Sequence, residues 1–191
     1  MRLVLASGSP RRQEVLARCG VAFDIHVADV DETPRPGEEP ASYTDRVARA
    51  KAAAVAAIIE DPDEAVVLAA DTTVALGGQI MGKPVDDDDA RRMLTLLSDR
   101  AHQVHTTVVG RRGSDVHAVT VTTEVTFVRL SPNGIDWYLS LGDHLDKAGA
   151  YGMQSAGAVL VHRIDGSPSN VVGLPLAETV GVLRSCGYAV V

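Results

Sequence analysis

Apolar positions recur along the chain with two periods, and the switches between them mark out the elements. Leu3 to Ala6 is a short apolar run and predicts a strand. Ser9-Pro10 supplies a helix start, a hydroxyl at the N-cap and then the residue whose fixed φ suits the first helical position. Val15, Leu16 and Cys19 give that helix its inner face, and Gly20 stops it. Val21 to Val27 reads as a strand. Ser42 to Ile59 has helical spacing, with Val47, Ala50, Ala54 and Ile58 as its stripe. Ala65 to Ala70 is a fully apolar strand followed at once by Asp71-Thr72, and Gly77-Gly78 turns the chain. Asp86 to Leu97 is a helix, because Ala90, Met93, Leu94 and Leu97 fall at i, i+3, i+4 and i+7. Val104 to Gly110 and Val116 to Arg129 are strands around a turn at Arg112 to Ser114. Ser131-Pro132 opens a helix that Gly142 ends. Val159 to Ile164 is a strand, Pro175 to Ser185 a helix, and Tyr188 to Val191 a closing strand.

Strands and helices mix without strict alternation. That predicts an α/β fold on a mixed sheet flanked by helices, not a purely parallel doubly wound sheet. With 191 residues the chain suits one domain over 1–191, or two lobes sharing a core, and needs no staples. The 46% hydrophobic content excludes a disordered or collagen-like chain. A net charge of −7 argues against binding nucleic-acid polymers through their backbones, although a local basic pocket can still take a small anion. Cys19 and Cys186 allow one bridge at most and read as reduced core thiols of a cytoplasmic protein. No apolar run reaches the roughly 18 to 20 residues that span a bilayer, and the stretch after Arg2 is too short for a signal peptide, so no membrane partner is expected.

Several places carry candidate chemistry. Ser7-Gly8-Ser9-Pro10-Arg11-Arg12 lies between a strand and a helix start, where free N–H groups and the helix dipole favour an anion. Two arginines there oppose the dipole, and an anionic ligand would reverse that sign; an ordinary Ser-Pro cap with solvated arginines has the same pattern. Lys51 lies four residues after Val47 and four before Val55, close to a buried stripe, so it either snorkels or meets an anion. Asp71 follows a buried strand, a common place for a catalytic or metal-binding carboxylate and also for a turn cap. Asp31-Glu32 offers hard oxygens for magnesium, or is an exposed acidic loop. Gly77 to Lys83 spells the start of a P-loop, but Pro84 stands where Ser or Thr must bind magnesium, so no P-loop is expected. Lys83 remains able to reach a phosphate. Asp86 to Asp89 leads a helix and reads as a solvated cap. His102 and His105, three apart on a strand, face opposite ways and do not suggest zinc. No Gly-x-Ser-x-Gly elbow occurs. In Asp146 to Gln154, small residues allow close backbone approach, and the Gln154 amide can pair with the N–H and C=O edge of uracil or thymine.

Taken in order, Ser7 to Arg12, Asp31-Glu32, Arg49-Ala50-Lys51-Ala52, Ala70-Asp71-Thr72, Gly82-Lys83-Pro84, Lys147 to Gln154 and Val171 to Leu176 resemble the Maf family over nearly the whole chain. The resemblance implies a cytoplasmic nucleoside triphosphate pyrophosphatase that cuts between the α and β phosphates. It implies a divalent cation, Mg²⁺ or Mn²⁺, a central cleft, and often a homodimer. Arg11, Thr72 and Gln154 resemble the subgroup acting on dTTP and UTP, with a modified pyrimidine nucleotide as a further substrate to test. On this resemblance Asp71 activates water, Glu32 with Asp71 holds the metal, and Ser7, Arg12, Lys51 and Lys83 meet the phosphates. Arg11, Thr72 and Gln154 read the base. Two positions depart from the family pattern: Arg49-Ala50-Lys51 replaces a Glu-Lys pairing, and Ser155 follows Gln154 where glycine is frequent. The family's link to septum formation leaves a second reading, a nucleotide-binding regulator without turnover.

Overall fold

The computed structural model describes residues 1–190. Its elements are β1 (Arg2–Leu5), α1 (Pro10–Ala17), β2 (Asp24–Ile25), α2 (Pro40–Ala56), β3 (Ala65–Leu76), β4 (Gln79–Met81), α3 (Asp87–Leu97), β5 (Ala101–Arg112), β6 (Asp115–Phe127), α4 (Pro132–Ser140), β7 (Val161–Asp165), α5 (Pro168–Val172) and α6 (Leu176–Ser185). The strands form one seven-stranded mixed sheet, ordered β2-β1-β3-β5-β6-β7, with β4 added to β3. β1 runs parallel to both β2 and β3, whereas β3, β5, β6 and β7 pair antiparallel. The fold is therefore the mixed α/β architecture that the sequence pattern implies.

Three long strands carry the sheet through both lobes. In the first lobe, strand alternation sends Leu3, Leu5, Val66, Leu68 and Ala70 to a core shared with α1 and α6. Val4, Ala6, Val67 and Ala69 go to the other face, where Ala48, Ala52 and Val55 of α2 cover them. In the second lobe, Val74, Val104, Val125 and Phe127 pack under α3 and α4.

The feature that makes a site is an interruption on one edge of β3. β5 pairs with β3 continuously from Val67 to Ala75. On the opposite edge β1 pairs only as far as Leu68, and β4 begins only at Val74. Residues between these partners have one edge bare of any strand.

Some predicted elements differ. β3 does not stop at Ala70 but runs through Asp71 and Thr72 to Leu76, because β5 supplies backbone partners throughout. The strand expected over Val21 to Val27 shrinks to Asp24–Ile25, the only residues in register with β1. Cys19 lies beyond the end of α1 and is half-buried. The buried face of α2 is Tyr43, Thr44, Val47, Ala48, Ala52 and Val55, and Ile58 is 63% exposed. An alanine-rich helix leaves its phase poorly marked, and here packing on the sheet rotates the stripe toward Lys51. No strand forms over 188–190, and Val191 lies outside the described residues. β4 and α5 are too short to show a period.

Candidate active site

The bare edge of β3 opens into a cleft of about 570 Å³ between the lobes. Ser7, Arg11, Arg12, Glu32, Lys51, Asp71, Thr72, Lys83 and Gln154 all line it. Asp71 and Thr72 are neighbours on a strand and so point to opposite faces of the sheet. Both reach the cleft because it wraps around an edge with no strand beside it.

On the α2 face, Lys51 Nζ lies 2.8 Å from Asp71 Oδ1 and 2.8 Å from Glu32 Oε1. The lysine does not snorkel; it is largely buried and joins two carboxylates. Glu32 is brought there by α2 itself. The Tyr43 hydroxyl donates to the Glu32 carbonyl at 2.9 Å, and Arg46 donates to the Thr33 carbonyl and to Glu38. Asp31 instead accepts from its own loop, at Thr33 N, and lies outside the cleft lining. Burial pushes the Asp71 carboxyl above the usual carboxylate range, with Lys51 and Arg12 opposing the shift. Its second oxygen, Oδ2, is buried without a hydrogen-bond partner.

On the other face, Arg12 donates from Nε to the Gly173 carbonyl at 2.8 Å, from Nη1 to Ser7 Oγ at 3.2 Å, and from Nη2 to Thr72 Oγ1 at 3.0 Å. Burial lowers its pKa, against the pull of Asp71. Gly173 sits at φ +109 at the end of α5, a conformation that favours glycine and aims its carbonyl at the guanidinium. Thr72 also bonds Thr106 Oγ1 at 2.9 Å, which in turn donates to the Asn170 carbonyl. Ser7 Oγ accepts from Ser9 N, while the Ser9 N-cap makes no side-chain bond, leaving the start of α1 facing the cleft. Arg11 Nη2 donates to the Asp146 carbonyl at 3.3 Å. Lys83 is exposed on the far side of the gap with no carboxylate partner among the described residues.

Five cations, Arg11, Arg12, Lys51, Lys83 and Lys147, therefore face three acids, Glu32, Asp71 and Asp146. The cleft is cationic within an acidic chain, as a polyphosphate site requires. Tyr43, Gly173 and Lys147 escaped the sequence reading as functional residues. Lys147 alone carried a signal, being the one cation in a run of small residues.

The donors suit a divalent cation that arrives with a phosphate. Among the described residues no group of three or more acidic, His or Cys side chains could hold a metal by itself. Glu32 and the unpartnered Oδ2 of Asp71 nonetheless provide the one or two carboxylates that Mg²⁺ uses when substrate phosphates complete its shell. His102 and His105 are buried, paired with the Tyr151 hydroxyl and with Thr122 Oγ1 respectively; burial brings His102 down to about 4.

A strand edge flanked by an acid–lysine–acid bridge and a cationic rim is the build of a nucleotide phosphohydrolase. The chain belongs to the Maf family: the family model for Maf-like proteins matches residues 2–186. A dTTP/UTP pyrophosphatase of Anaeromyxobacter dehalogenans is 54% identical over 98% of this chain and 95% of that protein. One of Myxococcus xanthus is 51% identical over 97% and 92%. Among solved structures, the Staphylococcus aureus Ham1 protein is similar at a TM-score of 0.46 and 16% identity, over 66% of this chain and 72% of that one. That likeness is too distant to inform the site. No helix among the described residues is long and apolar enough to cross a membrane.

Proposed function

We propose that the chain hydrolyses dTTP and UTP to the monophosphate and pyrophosphate, in the cytoplasm. A water oxygen bonds to the α-phosphorus, the bond from that phosphorus to the bridging oxygen breaks, and pyrophosphate leaves with its charge. Asp71 takes the water's proton. Its raised pKa makes it a better base than an ordinary carboxylate, while the charges of Lys51 and Arg12 favour its ionised form. Lys51, Lys83, Arg12, Ser7 and the start of α1 hold phosphate oxygens, so most of the rate comes from positioning and preorganised charge. Glu32 and Asp71 are the residues that would hold a divalent cation, which when bound neutralises phosphate charge. Arg11, Thr72 and Gln154 read the base.

The observation that carries this reading is the Lys51 ammonium, 2.8 Å from both Asp71 and Glu32, on the floor of a cleft rimmed with cations. Full-length relatives named dTTP/UTP pyrophosphatase support the choice of substrate. The test is a panel of nucleoside triphosphates with Mg²⁺, scoring pyrophosphate against orthophosphate. Pyrophosphate from dTTP and UTP is expected. Orthophosphate release, or nucleotide binding with no release, would refute it.

A further inference from the structure

Gln154 is exposed at the cleft wall and makes no hydrogen bond to the described chain. Its position therefore depends on the segment that carries it. That segment, 147–157, has no sheet partner. It folds back on itself so tightly that a Cβ on Gly157 would lie 2.5 Å from the Gly152 carbonyl oxygen. Its first half is fixed elsewhere, by Gly149 N donating to the Gly82 carbonyl at 3.0 Å and by the Tyr151 hydroxyl paired with His102 at 2.9 Å. The half that carries Gln154 is tied by the carboxylate of Asp143, in the turn after α4. Ser155 Oγ donates to that carboxylate, 2.8 Å from Oδ1 and 2.7 Å from Oδ2. The Tyr138 hydroxyl donates to Oδ2 at 3.0 Å and itself accepts from Gly152 N at 3.2 Å. Gly157 N reaches Oδ2 at 3.4 Å, and Lys147 Nζ lies 3.3 Å from Oδ1.

We propose that Asp143 is a positioning residue for base selection, clasping both ends of segment 147–157 so that Gln154 is presented to the base. The proposal rests on the pyrimidine triphosphate reading above. Asp143 sits behind the cleft wall, outside the cleft lining, and acts through Gln154. The clasp needs oxygen acceptors, which the carboxylate supplies. Burial pushes its carboxyl up, but hydrogen bonds from Ser155 and Tyr138 and the charge of Lys147 outweigh that and hold it ionised. The proposal also gives Ser155 a role.

The test compares Ser155→Ala, Asp143→Ala and Asp143→Asn with wild type in kcat, KM for dTTP, the dTTP to GTP ratio of kcat/KM, and Tm. Ser155→Ala removes one atom and is the variant least able to disturb folding. It should raise KM for dTTP and lower the ratio by about fivefold with kcat nearly unchanged, and Asp143→Ala should do so by about tenfold or more, the scale of hydrogen bonds lost to a charged acceptor. Asp143→Asn keeps an acceptor for Ser155 and Tyr138 and should recover most of the ratio. A fall in kcat and Tm with KM and the ratio unmoved would make Asp143 merely structural and overturn the proposal. So would an Asp143→Asn enzyme as poor as Asp143→Ala, since the charge balance of Lys147 would then be what matters. A wild-type enzyme with no preference for dTTP over GTP would overturn the underlying reading, and the clasp with it.

Discussion

The two ends of the cleft are built differently. The end proposed to hold the phosphates hangs from regular structure: Asp71 from a central strand, Lys51 from the middle of α2, and Arg12 from the first turn of α1. Each of these side chains is pinned by one or more others. The end proposed to meet the base has Arg11 and Thr72 on regular elements but Gln154 on an irregular segment in which Asp146 and Ala150 adopt φ +59 and +61, and Gln154 makes no hydrogen bond to the described chain. Chemistry that every triphosphate shares is placed on elements that cannot shift without unpacking a core. On the proposed reading, selection among bases rests in part on a loop whose exposed turn, at Gln154 and Ser155, substitutions can reshape without unpacking a core. The difference predicts that damage to the first end lowers turnover for all substrates, and damage to the second changes which substrate is preferred.

The largest effect should come from Asp71→Asn, with a fall in kcat of at least about a hundredfold while nucleotide affinity is largely kept. Near-normal turnover would remove Asp71 from its place as base. Next is Lys51→Met, with a loss of about thirtyfold in kcat/KM, smaller than for a sole electrostatic donor because other cations remain nearby. It also removes the main cation opposing Asp71 protonation. On the proposed mechanism activity requires ionised Asp71, so the acid limb of the pH–rate profile should start above the ordinary carboxylate range in wild type and move further upward in this variant. A limb that stays in place would uncouple Lys51 from Asp71. Gln154→Ala should lower the dTTP to GTP ratio by about tenfold at nearly constant kcat. An unchanged ratio would remove base reading from that end.

The smallest effect is on stability and runs against activity. The folded pKa of Asp71 lies above its unfolded value, so the stability contributed by its neutral form is complete below the unfolded pKa and lost as pH rises through the folded one. At pH 7 the native protein carries that cost. Asp71→Asn should therefore raise Tm by about 2–4 °C at pH 7, the shift expected for roughly 1 kcal/mol in a chain of this size. The gain should vanish in acid below the unfolded pKa. A lowered Tm at pH 7 would mean that the Lys51 and Arg12 pairings outweigh the burial of the charge.

Much of this organisation is legible in the sequence, and the exceptions have physical causes. Starts with a Ser or Asp side chain to mark them, as at Ser131 and Asp86, fall where expected because each caps a free N–H, at Gly134 and Asp89. The end of β3 is misplaced because Asp71 reads as the close of an apolar run. Pairing with β5 sets strand length, and that pairing is a long-range fact. Lys51 looks marginal on the stripe Val47-Ala50-Ala54-Ile58. Rotating that stripe onto Thr44, Ala48, Ala52 and Val55 buries it against Asp71. Motifs brought the phosphate residues to notice one by one. Their division between two faces of one strand was not visible, nor was the Asp143 clasp, which joins residues from three turns of chain with no shared period.

The alternation along β3 makes the enzyme sensitive to parity. A slip of one residue against β5 would carry the acid to the arginine's side and the threonine to the lysine's, exchanging a carboxylate for a hydroxyl beside Lys51. One hydroxyl pair guards against it: Thr72 of β3 with Thr106, its partner on β5. An alignment error of the sheet would thus forfeit this bond together with the Arg12 bond to the same hydroxyl, so the strand that bears Asp71 carries its own check on register.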